Sequence, residues 1–440
     1  MSDVAPQDLV AVAARLRSGR LAFRQYLDET LERVAVVDRR LQALIPETGR
    51  KARLEADFAE LQAQHKSAGR RVPPLYGVLV GIKDIFRVDG LLTRAGSELP
   101  AEVFAGPEAE AVTRLRRAGA AVLGKTVTTE FAYFAPGPTR NPWNPEHTPG
   151  GSSSGSAAAV AAGFTPLALG TQTIGSVTRP AAFCGIVGFK PSLGRIPTGG
   201  VIPFSRSVDQ VGLFAANVAS ASAGAALLCD NWIARRPLRG RRPTVGLLED
   251  ACVAQAEEPA RRAVVAAAER IAAAGYTVKR LALFADIERI NALHLDLVAH
   301  EFAQLHEQWH REYGSLYTDK SKELIEKGRG VSPPRAEAAR HEAGTARERV
   351  QQAMRQAGVS VVLSPAATGE APEGIGTTGS PIMNLPWTFF GLPTVTVPCG
   401  FGPRGLPLGL QIAGYLGADE QLFVVAAGIE TALGKPEQTP

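Results

Sequence analysis

Apolar positions recur at helical spacing through residues 6–68, as in Leu9, Val12 and Leu16 and again in Leu27, Leu31 and Val34. They predict a helical N-terminal segment over residues 1–70. Beyond it the pattern changes. Short apolar runs at 77–82, 120–123, 166–169, 244–248, 277–283, 359–363, 394–397 and 408–413 are separated by helical stretches, clearest at 108–118, 156–162, 260–274 and 419–432. Strands alternating with helices predict an α/β chain built on one layered sheet covered on both faces. The block 286–356 breaks the alternation: it is long, charged and helical in pattern, with a break at Gly328–Pro334. It is expected to be a variable helical insertion covering the cleft.

Composition narrows the function classes. The 440 residues carry 45% hydrophobic side chains but only 6% aromatics, with 45 glycines and 31 prolines, which suits a compact enzyme rather than a disordered chain. A net charge of +5 is mild, and the one basic cluster, Arg235–Arg242, flanks a proline and reads as a solvated linker, so nucleic-acid binding is not expected. Four scattered cysteines, Cys184, Cys229, Cys252 and Cys399, show no CxxC spacing and suit a reducing compartment. No signal-type apolar core opens the chain and no window is long enough for a membrane span. The expectation is a cytoplasmic protein that works without a membrane.

The chemistry concentrates in two glycine-rich runs, Gly150-Gly151-Ser152-Ser153-Ser154-Gly155-Ser156 and Gly170-Thr171-Gln172-Thr173-Ile174-Gly175-Ser176, with Lys83 upstream in the apolar run Val78-Leu79-Val80-Gly81-Ile82. A serine hydroxyl needs a base at neutral pH, and a buried lysine favours its neutral, proton-accepting form. Glycine lets backbone approach a bound carbonyl, and successive N–H groups at Thr173, Ile174, Gly175 and Ser176 can face one oxyanion. The competing reading is a Gly/Ser loop that caps the helix from Ser156 to Ala162, with Ser153 or Ser154 as N-cap.

The surrounding text is more specific. Gly150–Ser156 is followed by Ala157–Gly163, Leu167–Thr171, Arg179-Pro180-Ala181-Ala182-Phe183-Cys184-Gly185 and Gly188-Phe189-Lys190-Pro191-Ser192. This run resembles the amidase signature family, densely over residues 73–215 and again over 361–430. The resemblance implies a single catalytic domain over 1–440, an α/β/α sandwich around a central mixed, twisted sheet, and an amidohydrolase needing no cofactor. It implies Ser176 as nucleophile, Ser152 as the bridging serine whose peptide bond is cis in the family, and Lys83 as base, with Ser153 and Gly151 as site support. It also implies a small-molecule amide or carbamate as substrate; a homodimer is left open as the assembly.

Several positions depart from the family pattern. Many members read Gly-Thr-Asp-Thr-Gly-Gly-Ser at the nucleophile; here Gln172 replaces the Asp and Ile174 the first glycine of the pair. Ile174 is expected either to shape the acyl pocket or to pack away from it. Arg179 stands where malonamidase-like members hold a substrate carboxylate, and the alternative is a structural ion pair. Ser207 and Asp209 read as hydrogen-bonding scaffold. Met383, Asn384 and Trp387, with Tyr133 and Phe134, are candidates for the wall of an apolar substrate pocket. The second reading of the function is an amidotransferase component working in a complex.

Two further motifs compete. His306-Glu307-Gln308-Trp309-His310 matches HExxH, which on one helix binds zinc in metalloproteases, with His300 or Glu312 as further ligands. Its charged surroundings favour a solvated helix and no metal site. Gly119–Thr126 matches the phosphate-loop pattern, but the order helix, turn, strand is the reverse of what such a loop needs.

Overall fold

The structure is a computed structural model that describes residues 3–68, 72–238, 240 and 242–436; Arg239 and Arg241 of the basic linker, and the ends of the 1–70 and 1–440 spans, lie outside them. Ten strands form one sheet among the described residues: β1 Leu79–Lys83, β2 Ala121–Thr126, β3 Leu167–Gln172, β4 Val187–Lys190, β5 Gln210–Ala215, β6 Thr244–Leu248, β7 Thr277–Leu281, β8 Val361–Pro365, β9 Thr394–Phe401 and β10 Pro407–Ala413. Their order is β2-β1-β3-β5-β4-β9-β10-β8-β6-β7. Pairings among β2, β1 and β3 and among β8, β6 and β7 are parallel, while the middle from β3 to β8 is antiparallel. The sheet is therefore mixed, as the family resemblance implied. Most strands are buried on both faces, which is why they read as continuous apolar runs.

Two strands at the centre of the sheet escape the sequence reading. Strand β4 is four residues long and ends in Lys190, and β5 carries Gly212 in its interior. Both features normally weaken a strand. Here they are packing devices: a Cβ on Gly212 would lie 2.6 Å from the Phe189 carbonyl oxygen. Lys190 is fully buried because its amine reaches Gln210 Oε1 at 2.6 Å and the carbonyls of Leu392 and Pro191 at 2.5 and 3.0 Å.

Helices Leu9–Arg17, Phe23–Leu41 and Arg50–Ala68 form the N-terminal segment. Between residues 286 and 357 run Ile287–Leu305, Glu307–Tyr313, Asp319–Arg329 and Pro333–Ala357, with the predicted break between the last two. No helix among the described residues is long and apolar enough to cross a membrane. The HExxH run is corrected by this arrangement. His306 stands between two helices rather than on one, is fully buried, stacks on Phe302 and bonds Tyr317 Oη at 2.9 Å through Nδ1. His294, His300 and His306 are buried, whereas helix Glu307–Tyr313, which carries the rest of the run, has no buried residue and is the solvated helix expected. Residues 119–126 form the expected turn and strand, and Lys125 is held by Asp84 at 2.6 Å.

Candidate active site

Strand β1 ends on Lys83, and its parallel neighbour β3 ends on Gln172 three residues beyond the Ile82–Leu169 pair, so the sheet delivers the lysine and the second glycine-rich run to one place. The helix Ser154–Ala161 packs across both and brings the first run to them. Lys83 Nζ lies 2.8 Å from Ser152 Oγ and 2.9 Å from Thr171 Oγ1, with the lysine fully buried. Burial holds its amine down to about 7, partly offset by the Asp209 carboxylate. The Gly151–Ser152 peptide bond is cis. Ser153 precedes the helix but makes no capping bond; its Oγ instead meets the Thr171 carbonyl and N–H, each at 3.3 Å. The run is thus not a simple helix cap.

Ser152, Ser176, Arg179, Tyr133 and Phe134 line one narrow cavity of about 10 Å³ together with Thr173, Ile174 and Gly175. That is room for about one water. The N–H groups of Ile174, Gly175 and Ser176 donate to no protein acceptor among the described residues. They are held in place from behind. Gln172 Oε1 accepts from the N–H groups of Val177 and Thr178 at 2.8 and 2.9 Å, and its Nε2 donates to Thr388 Oγ1, which in turn donates to the Ile174 carbonyl at 2.7 Å. A glutamine therefore does here what a carboxylate acceptor can do, and anchors the loop a second time through its amide. Gly175 is required by contact: a Cβ there would lie 2.5 Å from Asn384 Oδ1.

Arg179 is 1% exposed, and its Nη2 donates to the Gly151 carbonyl at 2.6 Å and to Thr378 Oγ1 at 3.1 Å. Its Nε and Nη1 have no partner among the described residues, and no carboxylate pairs with it there. The structural ion pair offered as one reading is not made. Burial pushes the guanidinium down to about 9.

Three pocket candidates are corrected. Met383, Asn384 and Trp387 do not line the cavity; Pro381 takes the place expected of them. Asn384 donates to the Ala366 carbonyl and to Gln411, and Trp387 packs edge-on against Phe284 in the core. The apolar run therefore buttresses the donor loop instead of facing the cavity. Sequence reasoning missed Phe204, which lines the cavity beside Tyr133, and Thr171, the second partner of Lys83. Only the position of Thr171 next to Gln172 hinted at its contact, and Phe204 gave no signal.

The family model for Amidase matches residues 25–423. The chain belongs to the Amidase family. A component of the glutamyl-tRNA(Gln) amidotransferase of Synechococcus sp. (strain WH7803) is 33% identical over 470 aligned positions, covering 95% of each chain. A crystal structure of an amidase superposes with a TM-score of 0.87 at 31% identity over 97% of this chain and 100% of that one. The native peptide amidase from Stenotrophomonas maltophilia gives 0.81 at 26% identity over 98% of this chain and 97% of that one. The chain thus shares its mixed sheet and flanking helices with solved structures of that family.

Proposed function

We propose that this Amidase-family chain hydrolyses the C–N bond of a small amide or carbamate through an acyl-enzyme on Ser176. The observation that carries the reading is the Lys83 amine on the Ser152 hydroxyl, at the edge of a cavity that also holds Ser176 and a row of uncommitted N–H donors. Ser176 Oγ attacks the carbonyl while its proton passes to Ser152 and that of Ser152 to Lys83. The N–H groups of Ile174–Ser176 take the charge that develops on the carbonyl oxygen. The C–N bond then breaks, and the proton held on Lys83 returns through Ser152 to the departing amine. Water enters, loses a proton by the same route and cleaves the ester.

Arg179 favours a substrate with a carboxylate or other anion on its acyl part, because two of its nitrogens are buried at the cavity without an acceptor among the described residues. The relatives that belong to amidotransferases support a second reading, in which the released amine is passed on within a complex. A hydrolysis panel of malonamate, primary amides, anilides and aryl carbamates, run on the purified chain with Ser176→Ala as control, tests both. Turnover of malonamate lost in Ser176→Ala is the expected result. Ser176→Ala retaining most of the activity overturns the mechanism, and hydrolysis that needs an added partner favours the second reading.

A further inference from the structure

Behind Lys83 lies a second cavity of about 90 Å³, separated from the first by Thr173 and Phe204, which line both. Thr171, the lysine's second partner, and Asp209 line this cavity. The position of Asp209 follows from the sheet: β3 and β5 pair antiparallel with Gln172 opposite Gln210, so the ladder continued by one residue sets Asp209 opposite Thr173. There its Oδ1 accepts from Thr173 Oγ1 at 2.5 Å, and its Oδ2 accepts from the N–H groups of Phe204 and Ser205 at 2.8 and 3.0 Å. One carboxylate thereby ties the first residue of the donor loop to the residue that walls the substrate cavity.

We propose that Asp209 is the positioning residue of this site, holding Thr173 and Phe204 in place on one side and presenting the counter-charge to Lys83 on the other. This rests on the assignment of Lys83 as base. The charged and titratable groups around Asp209 are few. Lys83 faces it beyond Thr171, Arg206 lines the same cavity, and His294 from helix Ile287–Leu305 sits buried against the backbone of Thr173. Glu301 of the same helix accepts from Ser205 Oγ at 2.7 Å and from the Ser207 N–H at 3.0 Å, and is itself held by Arg340 at 3.1 Å. Burial raises Asp209 to about 6, and its carboxylate works against the burial that lowers the Lys83 amine.

The test uses phenylmethanesulfonyl fluoride, which needs no knowledge of the substrate. Ser176 Oγ forms a bond to sulfur, the S–F bond breaks with loss of fluoride, and the serine proton passes through Ser152 to Lys83. The rate of mass gain is followed against pH in the full chain, in Asp209→Asn, and in Thr173→Val and Thr173→Ser. Asp209→Asn is expected to slow labelling roughly ten- to hundredfold and to move the acid limb down by about one pH unit, because a lost negative charge makes Lys83 easier to deprotonate. Thr173→Val should slow labelling with the limb unmoved, and Thr173→Ser should restore most of the rate. An unmoved limb in Asp209→Asn, or full-rate labelling of Thr173→Val, overturns the proposal; the threonine pair decides it if Asp209→Asn does not fold. A native chain that labels equally fast in Ser176→Ala, or shows no acid limb, overturns the assignments of Ser176 or Lys83 on which the proposal rests.

Discussion

A lysine amine at the end of a buried strand gives up its proton near neutral pH for one reason: no solvent is there to stabilise the cation. In the proposed mechanism Lys83 must be neutral to act as base, and protonation takes it away as pH falls. Hydrolysis is therefore expected to decline as pH falls through about 7 and to level off about one unit above it, as read from a kcat/KM profile. Lys83→Met keeps the unbranched stem of the side chain and removes the amine. It should cost about a thousandfold in kcat or more while the circular dichroism spectrum stays native. Gly175 tests the donor loop in the same way. Gly175→Ala drives a methyl group into Asn384 Oδ1 and Pro381. Displacing the loop should lower kcat by about a hundredfold, and a variant with native kcat would show that the N–H groups of this loop carry no charge in the transition state.

Helices and turns far apart in sequence build the cavity wall. Glu130 opens the turn that carries Phe131 and Ala132 at left-handed φ values of 47° and 63° and delivers Tyr133 to the cavity. Its buried carboxylate accepts from the Thr318 N–H at 3.1 Å, from the Thr318 hydroxyl and from Ser321 Oγ at 2.5 Å, and so holds the start of helix Asp319–Arg329. Glu130→Ala should lower the unfolding free energy by about 2–3 kcal/mol and raise KM more than it lowers kcat, since the wall rather than the nucleophile is released. Urea unfolding and steady-state kinetics check the two effects; unchanged KM would mean that Tyr133 is held independently of the helix. The same elements mark where the sequence was legible. The apolar runs of β1, β3 and β8 announced strands because those strands are buried on both faces. Strands β4 and β5 hid behind Lys190 and Gly212, whose places depend on partners distant in sequence. His306 misled for the same reason: a short motif cannot show that its ring is enclosed by Phe302, Phe131 and Tyr317.

Across the whole molecule, buried titratable groups set how stability depends on pH. Lys83 and Lys190 are pushed down to about 7 from 10.5, so between these values the unfolded chain holds protons that the native one does not. Stability must rise with pH through that window. The four free, buried cysteines act in the opposite sense: burial raises Cys184, Cys229 and Cys252, and pushes Cys399 up to about 12, so above their usual 9 the native chain keeps protons that the unfolded one sheds. Lys125, also held down by burial, and Arg179, pushed down to about 9 from 12.5, side with the two amines, so four cations oppose the four thiols. The urea midpoint is expected to climb from pH 7 to about 9 and to climb less steeply or level off above it, and a midpoint that falls between pH 7 and 9 would contradict this account. The sequence by itself determined the α/β layering, the family and the two serine runs with their lysine, because burial periods and a long glycine-rich signature are local properties. Only the tertiary structure decided that Arg179 faces the cavity without a counter-ion among the described residues, that Met383, Asn384 and Trp387 stand behind the donor loop, and that Asp209 meets Thr173. Those outcomes depend on which distant side chain arrives to satisfy a buried group, and strand register, not local sequence, fixes that.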